Sequence, residues 1–239
     1  MINNFLQKFV KENSLNKEEK EYFDFHQHRY QLTAEILFLL PKKTRPKLLD
    51  VGSAYMHVSS LASLMGYQVS ALDLKDFTEV PWLKQRALKY DIELRQCNLS
   101  KERISWPDRA FDIVLLLETL EHFNFNPLPV LQEIYRVLRP GGCLILTTPN
   151  LFRLGNKIRI LFNRHISVSV EEPAGGHWRE YSLLELKKLI ESAGFKNFTI
   201  SYFNYKIPTD SHFTKLIKKV LTFLFPSLDG NLLVKARKN

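Results

Sequence analysis

Asp50, Asp73, His122 and His177 are the side chains of this 239-residue chain whose types and positions invite chemistry. Asp50 stands near the end of the apolar run KLLDV, one residue before the turn Gly52-Ser53-Ala54, while Asp73 ends the run QVSALD, 21 residues beyond Gly52. An acid that far past a glycine turn, at the end of a second strand, is spaced to accept both hydroxyls of a nucleoside ribose. The plainer alternative is that Asp73 caps the segment after it. His122 lies in LETLEHF, directly after the run FDIVLLL, and His177 in the loop GGHWREYS beside Arg179, Glu180 and Tyr181. Imidazole titrates near neutrality, so each is a candidate proton acceptor. Their alternatives are structural: Glu121 and His122 hold the following loop, and His177 caps the next helix.

A dinucleotide fingerprint is excluded at the glycine turn, because G-x-G-x-x-G needs its later glycines for close approach to a pyrophosphate and this turn reads Gly52-Ser53-Ala54-Tyr55-Met56. A ligand without a pyrophosphate remains allowed. Cys97 and Cys143 have no partner at ligand spacing, so neither a disulfide framework nor a metal site is expected.

Positioning these residues requires alternating strands and helices. Short apolar runs (KLLDV, QVSALDL, IELRQC, FDIVLLL, CLILTTP) alternate with helical patterns (SSLASLMGY, PWLKQRALKY, PVLQEIYRVL). Continuous runs such as residues 113–117 suit parallel strands covered on both faces. The expectation is an α/β fold built on a parallel sheet, with NLLVKARK as a last short strand. Residues 1–40 read as a helical extension or lid, and residues 41–239 as the main domain, with an insertion at about 150–181 where the alternation lapses. In that insertion, Leu151, Leu154, Ile158, Leu161 and Phe162 share a helical face, and near the C-terminus Phe213, Leu216, Ile217, Val220, Leu221 and Leu224 do the same. The plainer expectation is two core-packed helices with solvated lysines; the sharper one is a basic amphipathic surface meeting an anionic membrane or a phosphate-bearing acceptor.

Hydrophobic residues make up 45% of the chain and charged residues 25%, which excludes intrinsic disorder. No apolar run is long enough to span a membrane, and the first residues lack a signal-peptide pattern, so the expected location is cytoplasmic, with peripheral membrane contact the variant. The net charge is +9, yet residues 48–150 are net −2: the positive charge lies in residues 41–48, 151–166 and 211–239. Basicity therefore bears on the acceptor or a surface partner.

From about Lys47 to Phe195 the chain resembles the class I S-adenosylmethionine-dependent methyltransferases of small-molecule type. The resemblance rests on LLDVGS, ALDL, RAFDIVLLLETLEHF, VLRPGGCLILTTPN and HWREYSLLELKKLIESAGF, in that order. It implies a Rossmann-like methyltransferase fold, a doubly wound, seven-stranded, mostly parallel sheet whose last strand is antiparallel, and S-adenosyl-L-methionine as cofactor. Asp50 and Gly52, with Ser53 and Ala54 of the same turn, would lie against the methionine portion. Asp73 would bind the ribose, Asn98 and Leu99 the adenine, and Glu118 would face the methionine end. The chain departs from the common pattern in carrying Ala54 and Met56 where many relatives have glycine, and Asn98 where many have Asp. Methyl transfer from a sulfonium is an in-line displacement that gains from a general base when the acceptor is a hydroxyl, a role open to His122 and His177. The apolar-basic helix after TTPN, followed by GGHWREYS, resembles methyltransferases of bacterial glycan or lipid-linked pathways, implying a small-molecule acceptor, anionic or lipid-linked. Two rivals stand beside this: a nucleic-acid methyltransferase, disfavoured by the absence of the Asp/Asn-Pro-Pro-aromatic motif, and a degenerate fold kept as a binding protein.

Overall fold

The structure is a computed structural model that describes residues 2–13, 15–40, 44–164, 166, 176–204 and 224–239. The C-terminal amphipathic helix expected from Phe213 onward lies mostly outside the described residues. Among those described, the strands are β1 (Lys47–Val51), β2 (Gln68–Asp73), β3 (Ile92–Gln96), β4 (Phe111–Leu117), β5 (Leu138–Pro149), β6 (Asn197–Phe203) and β7 (Asn231–Arg237). They form one seven-stranded sheet in the order β3-β2-β1-β4-β5-β7-β6. The order reverses between β1 and β4, and β7 runs antiparallel to both β5 and β6, the expected departure from a parallel sheet. No described helix is long and apolar enough to cross a membrane.

The described residues fall into two compact units: 1–115 with 137–142, and 116–136 with 143–239. In the first, β1 pairs in parallel with β2 so that Asp50 stands opposite Ala71, and Asp73 stands opposite Gln96 of β3. Leu48, Leu49 and Val51 are fully buried, as expected for a strand covered on both faces. Three helices pack here: α1 (Ile2–Glu12), α2 (Lys17–Leu39) and α3 (His57–Leu64). Asn16 caps α2 by accepting from the Glu19 amide at 2.8 Å, and Phe23, Tyr30, Ala34 and Leu37 bury one helical stripe. Tyr67, just past α3, donates its hydroxyl to the Leu37 carbonyl at 2.6 Å. Beyond β2, the short α4 (Lys75–Thr78) and α5 (Pro81–Lys89) precede β3.

The second unit holds α6 (Leu128–Val137, all but its last residue), α7 (Leu154–Leu161) and α8 (Leu183–Ser192). A capping box starts α8: Ser182 accepts from the Glu185 amide and Glu185 accepts from the Ser182 amide. Ser182, and not His177, therefore caps this helix. The expected core packing of α7 is not what the structure has: Ile158, Leu161 and Phe162 are 49%, 76% and 69% exposed. Periodicity marks which side chains share a face, but it does not supply a surface for that face to meet.

Candidate active site

The residues after β1 and β2 build one tight corner in the first unit. Gly52 turns at φ 74° and donates to the Leu72 carbonyl at 3.0 Å, and Ala54 and Met56 follow at φ 43° and 54°. Two non-glycine residues in the left-handed region store backbone strain, which surrounding bonds must hold. Asp73 supplies one: its Oδ2 accepts from the Ala54 amide at 2.6 Å and its Oδ1 from the Leu74 amide at 2.7 Å. Asp73 thus ties the two turns together, while each carboxylate oxygen keeps lone-pair capacity for a further donor. Met56 is buried, so its side chain is part of the core.

Asp50, 3% exposed, accepts from Ser59 Oγ at 2.5 Å. Burial pushes its pKa up to about 6; the nearby Asp73 charge adds to the rise, against the Ser59 bond and Arg29. Burial likewise raises Asp73, opposed by its two backbone amides. Arg29, buried on α2, is a cation near Asp50 that the strand-end reading missed, because α2 lies outside the motifs. Asn98 and Leu99 are half-buried after β3. The Asn98 Oδ1 accepts from both the amide and hydroxyl of Ser100, at 3.1 and 2.7 Å, which leaves its Nδ2 as the group it can offer a ligand.

The second unit gathers a different set. Glu118, after β4, turns at φ 48° and donates its amide to the Thr147 carbonyl at 2.9 Å. His122 and His177, distant in sequence, meet edge to face with ring centroids 5.1 Å apart. His122 Nδ1 lies 3.2 Å from the Gly176 carbonyl, and the fully buried Glu121 accepts from the Trp178 amide through its carbonyl and from Thr148 Oγ1 through its carboxylate. Glu121 and His122 thus hold the later loop. His177 Nδ1 lies 3.6 Å from Glu180 Oε1, and the buried Glu180 is fixed by Arg153 Nη2 at 2.7 Å and Asn156 Nδ2 at 2.6 Å. At 3.6 Å this is an electrostatic contact longer than a hydrogen bond, and Glu180 would orient His177 as a base only if the two closed to hydrogen-bond distance around a substrate. Arg153 and Asn156 were missed as orienting groups because nothing in their local pattern marks them. The ligand atoms of Glu121, His122 and His177 also lie within 4.8 Å of one another, a set able to close on a divalent ion.

A methyltransferase-domain family model matches residues 25–200. The chain belongs to that family, the class I S-adenosylmethionine-dependent methyltransferases. It is 29% identical over 75% of its length to a "probable S-adenosylmethionine-dependent methyltransferase" of Mycolicibacterium smegmatis, and 30% identical over 65% of its length to the mitochondrial ubiquinone biosynthesis O-methyltransferase of Rattus norvegicus. The aligned regions span 61% and 46% of those two proteins. A SAM-dependent methyltransferase from Thermotoga maritima superposes with TM-score 0.61 at 16% identity, covering all of both chains, a likeness of fold. The family's cofactor is S-adenosylmethionine, and the turn after β1 is suited to it. Ser53 Oγ is buried there without a hydrogen-bond partner among the described residues, and Asp73 retains acceptor capacity beside it.

Proposed function

We propose that this chain transfers a methyl group from S-adenosylmethionine to a hydroxyl of a small molecule, a glycan or lipid-linked metabolite. The observation that carries the hydroxyl reading is His177 backed by the buried, doubly fixed Glu180. Asp73 binds the ribose hydroxyls, the turn of Asp50, Gly52, Ser53 and Ala54 lies against the methionine portion, Asn98 and Leu99 hold the adenine, and Glu118 faces the methionine end. The cofactor, when bound, supplies an electrophilic methyl on a sulfonium. His177, oriented by Glu180, takes the hydroxyl proton as the oxygen gains the methyl, and His122 packs against its ring. Residues 1–40 serve as a lid-like extension, and residues 150–181 supply acceptor-side groups.

Calorimetry and turnover test this directly. Asp73→Ala is expected to weaken S-adenosylmethionine binding by about a hundredfold, since two charge-assisted bonds are lost. His177→Ala is expected to lower turnover about a hundredfold with cofactor affinity retained. Equal turnover would remove His177 from the chemistry, and no cofactor binding by the unaltered protein would leave the binding-protein alternative. Turnover should survive EDTA; loss restored by Zn²⁺ would instead make ligands of Glu121, His122 and His177.

The acceptor reading extends to a surface. Phe152, Ile158, Ile160, Leu161 and Phe162 are exposed on or beside α7, among Arg153, Lys157, Arg159 and Arg164. Apolar and basic side chains on one short exposed helix support contact with an anionic lipid surface or a lipid-linked acceptor.

A further inference from the structure

The strained turn that follows β1 is gripped by a buried polar cluster drawn from α2, α3 and α5. Arg86 of α5 places a single nitrogen, Nη1, between two oxygens: Glu19 Oε1 of α2 at 2.5 Å and the Tyr55 backbone carbonyl at 2.8 Å. The same Glu19 oxygen lies 2.9 Å from His57 Nε2, and His57 Nδ1 lies 2.9 Å from the Tyr30 hydroxyl. Glu19, Arg86 and His57 are 3%, 6% and 3% exposed. Rings close over the cluster: the Arg86 guanidinium lies 5.0 Å from the Trp82 ring centre and 5.3 Å from that of Phe9, and Tyr55 stacks on Trp82 at 5.8 Å.

A buried ion pair is a poor source of net stability, since desolvation offsets its attraction, but it fixes geometry well because either charge alone is costly. What this pair fixes is informative. Tyr55 sits between Ala54 and Met56, the two residues in the left-handed region, and its carbonyl is the one Arg86 holds. Burial alone would raise the Glu19 pKa, but the bonds from His57 and Arg86 outweigh it and hold the carboxyl below its ordinary value. Asp73 grips the turn from one side through the Ala54 amide; Arg86 grips it from the other.

We infer that Glu19, acting through Arg86, is a positioning residue for the cofactor turn, so that affinity for S-adenosylmethionine depends on a carboxylate of the N-terminal helices. The inference rests on the reading of the turn after β1 as the cofactor site. With Glu19 neutral, Arg86 loses its anchor, the Tyr55 carbonyl is released, and the turn relaxes toward right-handed or extended backbone that the cofactor must then re-order. Glu19 touches no reacting atom, so its removal raises KM for the cofactor while kcat at saturation stays near that of the unaltered enzyme.

The experiment uses the full chain and four variants: Glu19→Gln, Arg86→Met, Arg86→Lys and, as a control, Tyr67→Phe, which loosens α2 at the Leu37 carbonyl without touching the cluster. Calorimetry with S-adenosylmethionine should show Kd raised about tenfold for Glu19→Gln and Arg86→Met, the cost of re-ordering a strained residue. Amide exchange at Ala54, Tyr55 and Met56 should speed up in step. Arg86→Lys keeps the charge but loses the planar fork that lies against the Trp82 and Phe9 rings, so it should raise Kd by less than Arg86→Met does, and Tyr67→Phe should bind as the unaltered protein does. If Glu19→Gln does not fold, Glu19→Asp keeps the charge but draws it back by one methylene, and should also raise Kd. Unchanged Kd in the Glu19 and Arg86→Met variants, or an equal loss in Tyr67→Phe, overturns the inference while leaving the cofactor reading intact. Absence of binding by the unaltered protein overturns both.

Discussion

Asp50 carries a measurable signature of its burial. Its folded pKa is about 6, above the ordinary 3.8, so its protonated form is favoured in the folded chain. The stability it contributes is full below the unfolded pKa and is lost as pH rises through about 6. Asp50→Asn keeps the shape and an acceptor for Ser59 without the charge. We expect it to be more stable than the unaltered protein above pH 6, by up to about 3 kcal/mol, with the advantage vanishing near pH 4. Urea melts across that range measure it, and parallel curves would show that Asp50 ionises without penalty. At this scale the sequence was a partial guide. The positions of Asp50, Gly52 and Asp73 were readable because strand ends and a glycine turn sit next to them in the chain. That His177 meets His122 was not, since 55 residues separate them. Nor was the grip of Arg86 on Tyr55, for neither residue has a neighbour in sequence that marks the bond.

Among the elements, the strands were the most legible, because β1, β2 and β4 are short, mainly apolar runs buried along most of their length, which suits a sheet covered on both faces. β5 begins earlier than its apolar run suggests, at Leu138, taking in the Pro140-Gly141-Gly142 segment that composition alone marks as a turn. The order of the strands is set by pairing between segments far apart in the chain, and no local pattern carries it. α7 shows the limit of periodicity: an amphipathic pattern does not say whether the apolar side faces core or solvent. Its exposed side yields a prediction at this scale. Sedimentation with vesicles rich in anionic lipid should occur at low salt and weaken at high salt. Lys157, Arg159 and Arg164 changed to Gln should reduce it several-fold, whereas Leu161→Ser with Phe162→Ser should reduce it at any salt. No sedimentation at low salt would end the membrane reading.

For the molecule as a whole, the +9 charge is concentrated away from the cofactor motifs, while residues 48–150 are net −2. Bound cofactor or its demethylated product should stabilise the folded chain by mass action, about 2.7 kcal/mol at a hundredfold excess over Kd. For a chain of this size that corresponds to a rise in melting temperature of about 5 to 10 °C, read by a thermal scan with S-adenosylhomocysteine. No shift at millimolar ligand would contradict the proposed activity. The sheet order has a consequence for biogenesis as well. β6 pairs with β7, which follows it in the chain and which also covers the flank of β5. During vectorial synthesis β5 leaves the ribosome well before β7, its antiparallel partner far along the chain, exists, so one edge of β5 waits unpaired. That open edge is a template for wrong pairing, and slowing translation between β5 and β6 should lengthen its exposure to aggregation.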